Sequence, residues 1–393
     1  MACLLKLPGD GTRGVLTVTT QERDHVIRAD AAVAERIAAL KDRWIVGLHH
    51  NWHDHAFRYD PLYDFSMAGA EDLIEVDGRE VPLVELDACN FVPACFRPGG
   101  EPFWDLLYVA RPVAFKGMPT FLQTVRVLYD AGHDLRVLCL CPMPPYDPAS
   151  ADTVLYDLRE RYEALFDDRE QERFTLLTMD FRYPFPLDLP TLAHFYRSSR
   201  VFAHFADDER RCRVAGYAWA TGLPVVGTAA VGSLLPEQLR SRPRFFEARP
   251  ADPASFADAI LEALDAPSYD PQTTRTEVSE EHTHARLRAR LDELFADAGA
   301  GDADMALGNL GLRLGRHHGI SSGPNRVPMT LSALLDRLAR VDDGLRAALA
   351  APDPELALAS AAWEAPSEVA PTVRRPAPGR GRPRLLARLA RRG

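Results

Sequence analysis

Two hydrophobic periods alternate along this chain. Between residues 105 and 226, short continuous apolar runs are separated by stretches whose apolar residues recur every three or four positions. The first pattern predicts buried strands and the second predicts amphipathic helices. Asp105 to Ala110 is an apolar, extended run. Phe121, Leu122, Val125 and Leu128 share one face of a helix expected to begin near Thr120, and Gly132 suits its end. Leu135 to Cys141 is the next apolar run. Strand, helix and strand in that length predict a βαβ unit with parallel strands. The pattern continues with helices expected over 152–167 and 192–200 and strands over 174–179 and 200–205. A helix through Val214, Ala215, Ala218 and Trp219 then ends at Gly222, and Leu223 to Thr228 (LPVVGT) restarts a strand. Two further amphipathic helices are predicted, at 256–264 and 284–295, the second closing this part of the chain.

The N-terminal residues carry the same alternation on a smaller scale. Strands are predicted at 14–20, 44–49 and 81–86. A helix capped by Asp30 runs to Leu40, with Val33, Ile37 and Leu40 on one side. A short helix is predicted over 60–68, and residues 1–13 read as a loose start. Residues 298–330 are Gly-rich. Thr330 then caps a helix with Leu331, Leu334, Leu335, Leu338, Leu345 and Leu349 in register. The expected fold class is therefore α/β, with a small domain at 1–95, a larger one at 96–297, a helical extension at 298–365 and a disordered tail at 366–393.

Composition sharpens this picture in three places. The net charge of −10 over 393 residues argues against a general nucleic-acid binder. It is uneven: residues 366–393 hold eight Arg and one Glu, a basic segment suited to touch an anionic lipid surface or to stay solvated. The six Cys form no C-x-x-C pair and no zinc spacing, which points to reduced, buried thiols and a cytoplasmic setting. Cys139 and Cys141 are expected on one face of their strand. The N-terminal apolar run is too short for a signal peptide and is interrupted by Asp10.

The candidate chemistry gathers at strand ends. Arg111 and Lys116 follow a predicted strand directly and precede a helix start, with Gly117 giving the loop freedom. Two cations beside a helix N-terminus suit an anion, most naturally a phosphate or diphosphate; the plain alternative is a solvated basic loop. Glu209 lies in the loop after the 200–205 strand. His49, His50, His53 and His55 cluster around Asp54, but no H-E-x-x-H is present and the segment does not put two His on one helical face. Ordinary polar loop histidines explain that cluster without a metal.

Several of these stretches, in this order, resemble the donor half of the retaining GT-B glycosyltransferases of the family 4, or group 1, kind. Arg111, Lys116 and Gly117 match that group's Arg followed five residues on by Lys-Gly. Glu209 matches its loop Glu, and Gly222-Leu223-Pro224-Val225-Val226 matches its Gly-x-Pro-Val-Val. RSSRVFAHFADDE resembles its approach to that Glu. Asn90, Val92, Phe96 and Pro98 match its interdomain linker, with Phe91 where a Gly is usual. The resemblance covers roughly residues 90–295. It implies two Rossmann-like domains, the N-terminal one reduced and on the acceptor side. It departs from the group where Tyr217 replaces a second Glu that grips ribose, where Cys139 and Cys141 replace a Gly-x-Gly, and where the glycine loop after the first strand is missing.

The resemblance further implies a retaining, metal-independent transfer of a sugar from a nucleoside diphosphate to an acceptor, with no cofactor beyond the donor. Arg111, Lys116 and Gly117 would hold the diphosphate. Glu209 would hold sugar hydroxyls, and His49 or His50 would stand near the donor sugar. Arg182, flanked by Phe181 and Tyr183, would meet the base. Tyr217 would lie at the ribose, and Gly232 and Ser233 would offer amides to phosphate. Expected partners are the nucleotide-sugar donor, an acceptor, a membrane surface reached by the tail at the inner face, and a protein partner. A second reading is a catalytically weak or inactive GT-B-like scaffold subunit, favoured by Tyr217, the small first domain and the C-terminal extension. A nucleotide-dependent oxidoreductase would need a G-x-G-x-x-G after its first strand, and none is present.

Overall fold

The computed structural model describes residues 3–49, 60–68, 75–76, 79–80, 82–85, 92–141, 151–178, 188–207, 209, 212–232, 235–301, 305 and 331–341. Two mainly parallel sheets organise them. The first contains β1 (Cys3–Lys6), β2 (Gly14–Thr19), β3 (Trp44–His49), β4 (Phe65–Ala68) and β5 (Leu83–Glu85), side by side in that order. Only β1 runs antiparallel to its neighbour.

Side chains alternate across this sheet, and both faces are covered. Leu5, Val15, Ile45, Phe65, Met67 and Val84 point one way, into a core shared with Leu287 and Leu291. Leu16, Val18, Trp44, Val46 and Leu48 point the other way, onto Val33 and Ile37 of the helix Ala31–Leu40. The Asp30 carboxylate caps that helix, accepting from the Ala32 amide at 2.9 Å. Two covers come from the far end of the chain. The helix Glu280–Leu294 lies on this sheet, where Arg290 Nε donates to the Leu83 carbonyl at 2.9 Å. The helix Leu331–Arg340 puts Leu335 and Leu338 into the opposite core, and Trp44 Nε1 donates to the Leu338 carbonyl at 3.3 Å.

Three expectations are corrected here. Residues 1–13 are not a loose start, because Cys3–Lys6 pairs with β2. The 60–68 stretch is not a helix: Tyr63, Phe65 and Met67 are buried at every second position, and Phe65–Ala68 is a strand parallel to β3. Asp64 ties it down, accepting from the Val46 amide at 2.8 Å. The 284–295 helix closes the first sheet rather than the second, since an apolar stripe predicts burial without naming the surface that covers it. Leu345, Leu349, the tail and, of the histidine cluster, His50, His53, Asp54 and His55 lie outside the described residues.

The second sheet holds β6 (Trp104–Val109), β7 (Val137–Cys141), β8 (Phe174–Thr178), β9 (Ser199–His204), β10 (Val225–Gly227) and β11 (Phe245–Glu247). All neighbours are parallel, in the order β8-β7-β6-β9-β10-β11. This is the doubly wound Rossmann order, in which strand succession reverses beside the first strand. One face is packed by the helices Met118–Asp130 and Pro253–Asp265 through Phe121, Val125, Phe256 and Ile260. The other is packed by Leu189–Arg197 and Arg213–Thr221 through Ala193, Tyr196, Ala218 and Trp219. Cys139 and Cys141 share the first of these cores, as their spacing predicts. The fold class expected from the sequence is observed: two Rossmann-like α/β units, the first reduced, with a helical C-terminal part. No helix among the described residues is long and apolar enough to cross a membrane.

Leu338 is 1% exposed and fills the first sheet's outer core from 289 residues beyond the end of β3. Leu338→Ala should destabilise the protein by about 2–5 kcal/mol, the usual cost of such a cavity. Chemical denaturation of the variant against wild type measures it.

Candidate active site

The reversal of strand order falls between β6 and β9, so the loops after those two strands part to leave a crevice at the carboxyl edge. Residues 110–117 follow β6. They make a short turn over Ala114–Lys116 before Gly117, which starts the helix Met118–Asp130. Gly117 has φ of +74°, and a Cβ placed on it would lie 2.1 Å from the Phe205 carbonyl oxygen. No other residue fits both the dihedral and the space. The β6 loop therefore presses directly on the chain leaving β9. Tyr108, wholly buried beneath, donates its hydroxyl to the Lys116 carbonyl at 2.5 Å.

This contact brings together a charged cluster. Lys116 Nζ donates to Glu209 Oε1. His204, the last residue of β9, is bonded through Nε2 to Glu209 Oε2. Glu209 is 8% exposed and His204 is fully buried. The His204 ring lies 5.9 Å from Tyr108 and 6.2 Å from Phe202, centre to centre. Burial alone would raise the Glu209 pKa, but the His204 imidazole and the Lys116 ammonium outweigh it and hold the carboxyl at about 2, against an ordinary 4.5. Neighbouring anchors fix the loop: Thr228 Oγ1 donates to the Ala206 carbonyl at 3.0 Å, and the Ala251 amide to Asp207 at 3.1 Å.

Cys212, at the start of the helix Arg213–Thr221, completes a buried group. The ligand atoms of His204, Glu209 and Cys212 lie within 4.8 Å of one another. That nitrogen, oxygen and sulfur set is one a zinc ion takes. A divalent ion there would share its carboxylate with the Lys116 ammonium, which already supplies the positive charge. The cluster fits an ammonium–carboxylate–imidazole network better than a metal centre.

The structure thus joins Lys116, Gly117 and Glu209, which the sequence placed 93 positions apart at most. Arg111 is half-buried in the same loop, directly after Ala110. His49 stands at the carboxyl end of β3 and is buried. Tyr217 is drawn into the core: its ring stacks on Phe96 at 3.9 Å and meets Tyr196 edge-on at 6.0 Å. Gly232 departs from expectation. It ends a short helix, Ala229–Gly232, and its amide donates to the Thr228 carbonyl at 3.3 Å instead of facing a phosphate. His50, Arg182 and Ser233 lie outside the described residues. His204 and Tyr108 were not foreseen. A single polar residue inside the apolar run Val201–Ala206 was the available signal for His204.

Similar structures are known. The chain superposes on a glycosyltransferase from Rickettsia africae ESF-5 at a TM-score of 0.46 and 13% identity, over 67% of this chain and 80% of that one. An α,α-trehalose-phosphate synthase (UDP-forming) from Burkholderia vietnamiensis gives 0.44 and 16%, over 72% and 76%. A trehalose-6-phosphate synthase gives 0.48 and 14%, over 72% and 78%. No family model matches the sequence. No curated protein matches it either. At these scores and identities, no residue's role is transferred from the superpositions.

Two predictions follow from the geometry. Gly117→Ala should destabilise the fold by at least about 3 kcal/mol, from the left-handed dihedral and the clash with Phe205 together, as read by chemical denaturation. The Glu209 carboxyl is held below its unfolded value, so its contribution to stability is present above pH 4.5 and lost as pH falls towards 2. Glu209→Gln should remove that part of the acid dependence, about 3 kcal/mol across the window. Urea midpoints of both proteins between pH 5 and 2 test it.

Proposed function

We propose that this chain is a glycosyltransferase of GT-B type that moves a sugar from a nucleoside diphosphate to an acceptor, with retention and without a metal. The observation that carries the reading is the meeting of Lys116 and Glu209 at the strand-order reversal, where α/β sheets of this kind take their ligands. Breaking an anomeric bond to a diphosphate moves negative charge onto the leaving group. Arg111 and Lys116, at a helix N-terminus, are suited to stabilise it without a divalent ion. Glu209, ionised over the whole neutral range, is suited to accept hydrogen bonds from sugar hydroxyls. His49 or His50, from the carboxyl end of β3, would approach the sugar from the acceptor side. Arg182 would meet the base and Ser233 a phosphate. The basic tail would serve a membrane surface or a protein partner.

One observation favours a weaker variant of this reading. Tyr217 is stacked beneath Phe96, so the position that the resemblance assigns to a ribose-gripping carboxylate carries a core aromatic instead. A donor-binding subunit with little turnover of its own is the second reading.

Calorimetric titration with UDP, GDP and ADP, with and without magnesium, distinguishes them. Binding of one nucleotide without metal supports the donor site and identifies its base. Turnover of that nucleotide's sugars separates the enzyme from the subunit. Arg111→Ala and Lys116→Ala should each weaken that binding by about 30- to 100-fold, the usual loss when one member of a desolvated charge pair is removed. Unchanged affinity in both would sink the phosphate assignment.

A further inference from the structure

One atom in this site is left over. His204 Nδ1 is buried without a hydrogen-bond partner among the described residues, while Nε2 of the same ring is engaged by Glu209. An unpaired buried polar atom costs stability, and an apolar side chain would fill this place in β9 without that cost. What Nε2 does must therefore account for the imidazole. Glu209 is ionised and has no hydrogen to give. Nε2 is thus the donor and Oε2 the acceptor.

The two carboxylate oxygens are held by donors of different kinds. His204 is part of a central strand, packed near Tyr108 and Phe202, with a side chain 1% exposed. It has two side-chain torsions and nowhere to go. Lys116 reaches Oε1 from the end of a flexible four-carbon stem, is somewhat more exposed, and has the exposed Phe115 ring 4.9 Å from its nitrogen. An incoming anion can take the ammonium but cannot displace the imidazole.

We propose that Glu209 has one fixed and one exchangeable donor: His204 is the positioning residue that keeps the carboxylate in place through Oε2, while Lys116 leaves Oε1 for the diphosphate of an arriving donor, freeing Oε1 to accept a sugar hydroxyl. The exchange rests on the reading of this site as one for a nucleoside diphosphate sugar. Lys116 and Glu209 satisfy each other in this structure. Diphosphate must break that contact, so Glu209 opposes nucleotide binding while serving the sugar.

Titration of wild type and Glu209→Gln with UDP, GDP and ADP tests the exchange. The neutral amide releases Lys116, and the variant should bind the recognised nucleotide about tenfold more tightly than wild type. Equal or weaker binding by the variant overturns the exchange alone. Failure of wild type to bind any of the three overturns the donor-site reading and the exchange with it. The anchor is tested on the same proteins by imidazole nitrogen NMR. The His204 Nε2–H signal should be present in wild type, persist at saturating nucleotide and shift in Glu209→Gln, where the charged acceptor is gone. A ring without hydrogen on Nε2, or a signal that is lost when nucleotide binds, overturns the anchor even if the affinities behave as expected.

Discussion

The contact between Gly117 and the Phe205 carbonyl is the constraint on which the site depends. It is made of backbone on both sides, with no room for a Cβ. Two loops from strands that are neighbours in space but about a hundred residues apart in sequence are thereby set at a fixed separation. Lys116 is the residue next to that contact on one loop, and His204 is the residue next to it on the other. Their side chains cannot avoid the same small volume, and Glu209 occupies it with them. Tyr108 adds a second restraint from below by taking the Lys116 carbonyl. The backbone position of Lys116 is therefore set by packing and not by the ion pair, which is the arrangement a binding site needs if the pair is to be broken and re-formed.

The electrostatics agree with that order of cause. A buried ion pair is weak evidence for stability, because desolvation takes back much of the attraction. The Lys116–Glu209–His204 network includes an orphaned nitrogen and sits within an aromatic and aliphatic core that apolar residues would fill more cheaply. Perturbed groups of this kind collect where function requires them. Arg126 and Glu170, by comparison, form a two-bond bridge between the helix Met118–Asp130 and the start of β8's approach, both bonds at 2.7 Å, with Arg126 Nε also lacking a partner among the described residues. That bridge has the form expected of a structural tie.

How much was legible in the sequence follows from the range of the forces involved. Most of the second sheet was readable, because its central strands β6, β7 and β9 are largely buried and appear as unbroken apolar runs, whereas the short edge strand β11 was not predicted. Glycine at 117 and 222 marked its helix ends, and both adopt positive φ. The first sheet was harder. β4 is four residues long, and its Tyr63-Phe65-Met67 alternation was masked by the turn at Asp60. β1 is an edge strand whose pairing is set by a tight return at Gly9 to Thr12. The destination of the helix Glu280–Leu294 could not be read from its pattern, since Leu287 and Leu291 announce a buried face but not its partner; only the GT-B resemblance, in which a terminal helix often crosses back to the first domain, pointed to the first sheet. Of the site, the charges were legible and the geometry was not. Arg111, Lys116 and Glu209 stood out as polar residues at strand ends, whereas His204 disappeared into an apolar run and Tyr217 gave no sign that Phe96 would cover it.

The two sheets also differ in what they can contribute. In the second, succession runs outward from β6 in both directions, so a crevice at the reversal is a topological necessity. In the first, β2 to β5 follow one another in a single direction, and no such reversal arises among the described strands. What the first sheet can offer is the carboxyl ends of its strands, and His49 is the titratable side chain at the end of β3, its central strand. It also depends on the rest of the chain for its cores, through Leu287, Leu291, Leu335 and Leu338. The first sheet's packing is thus tied to residues that come after the second sheet in the sequence.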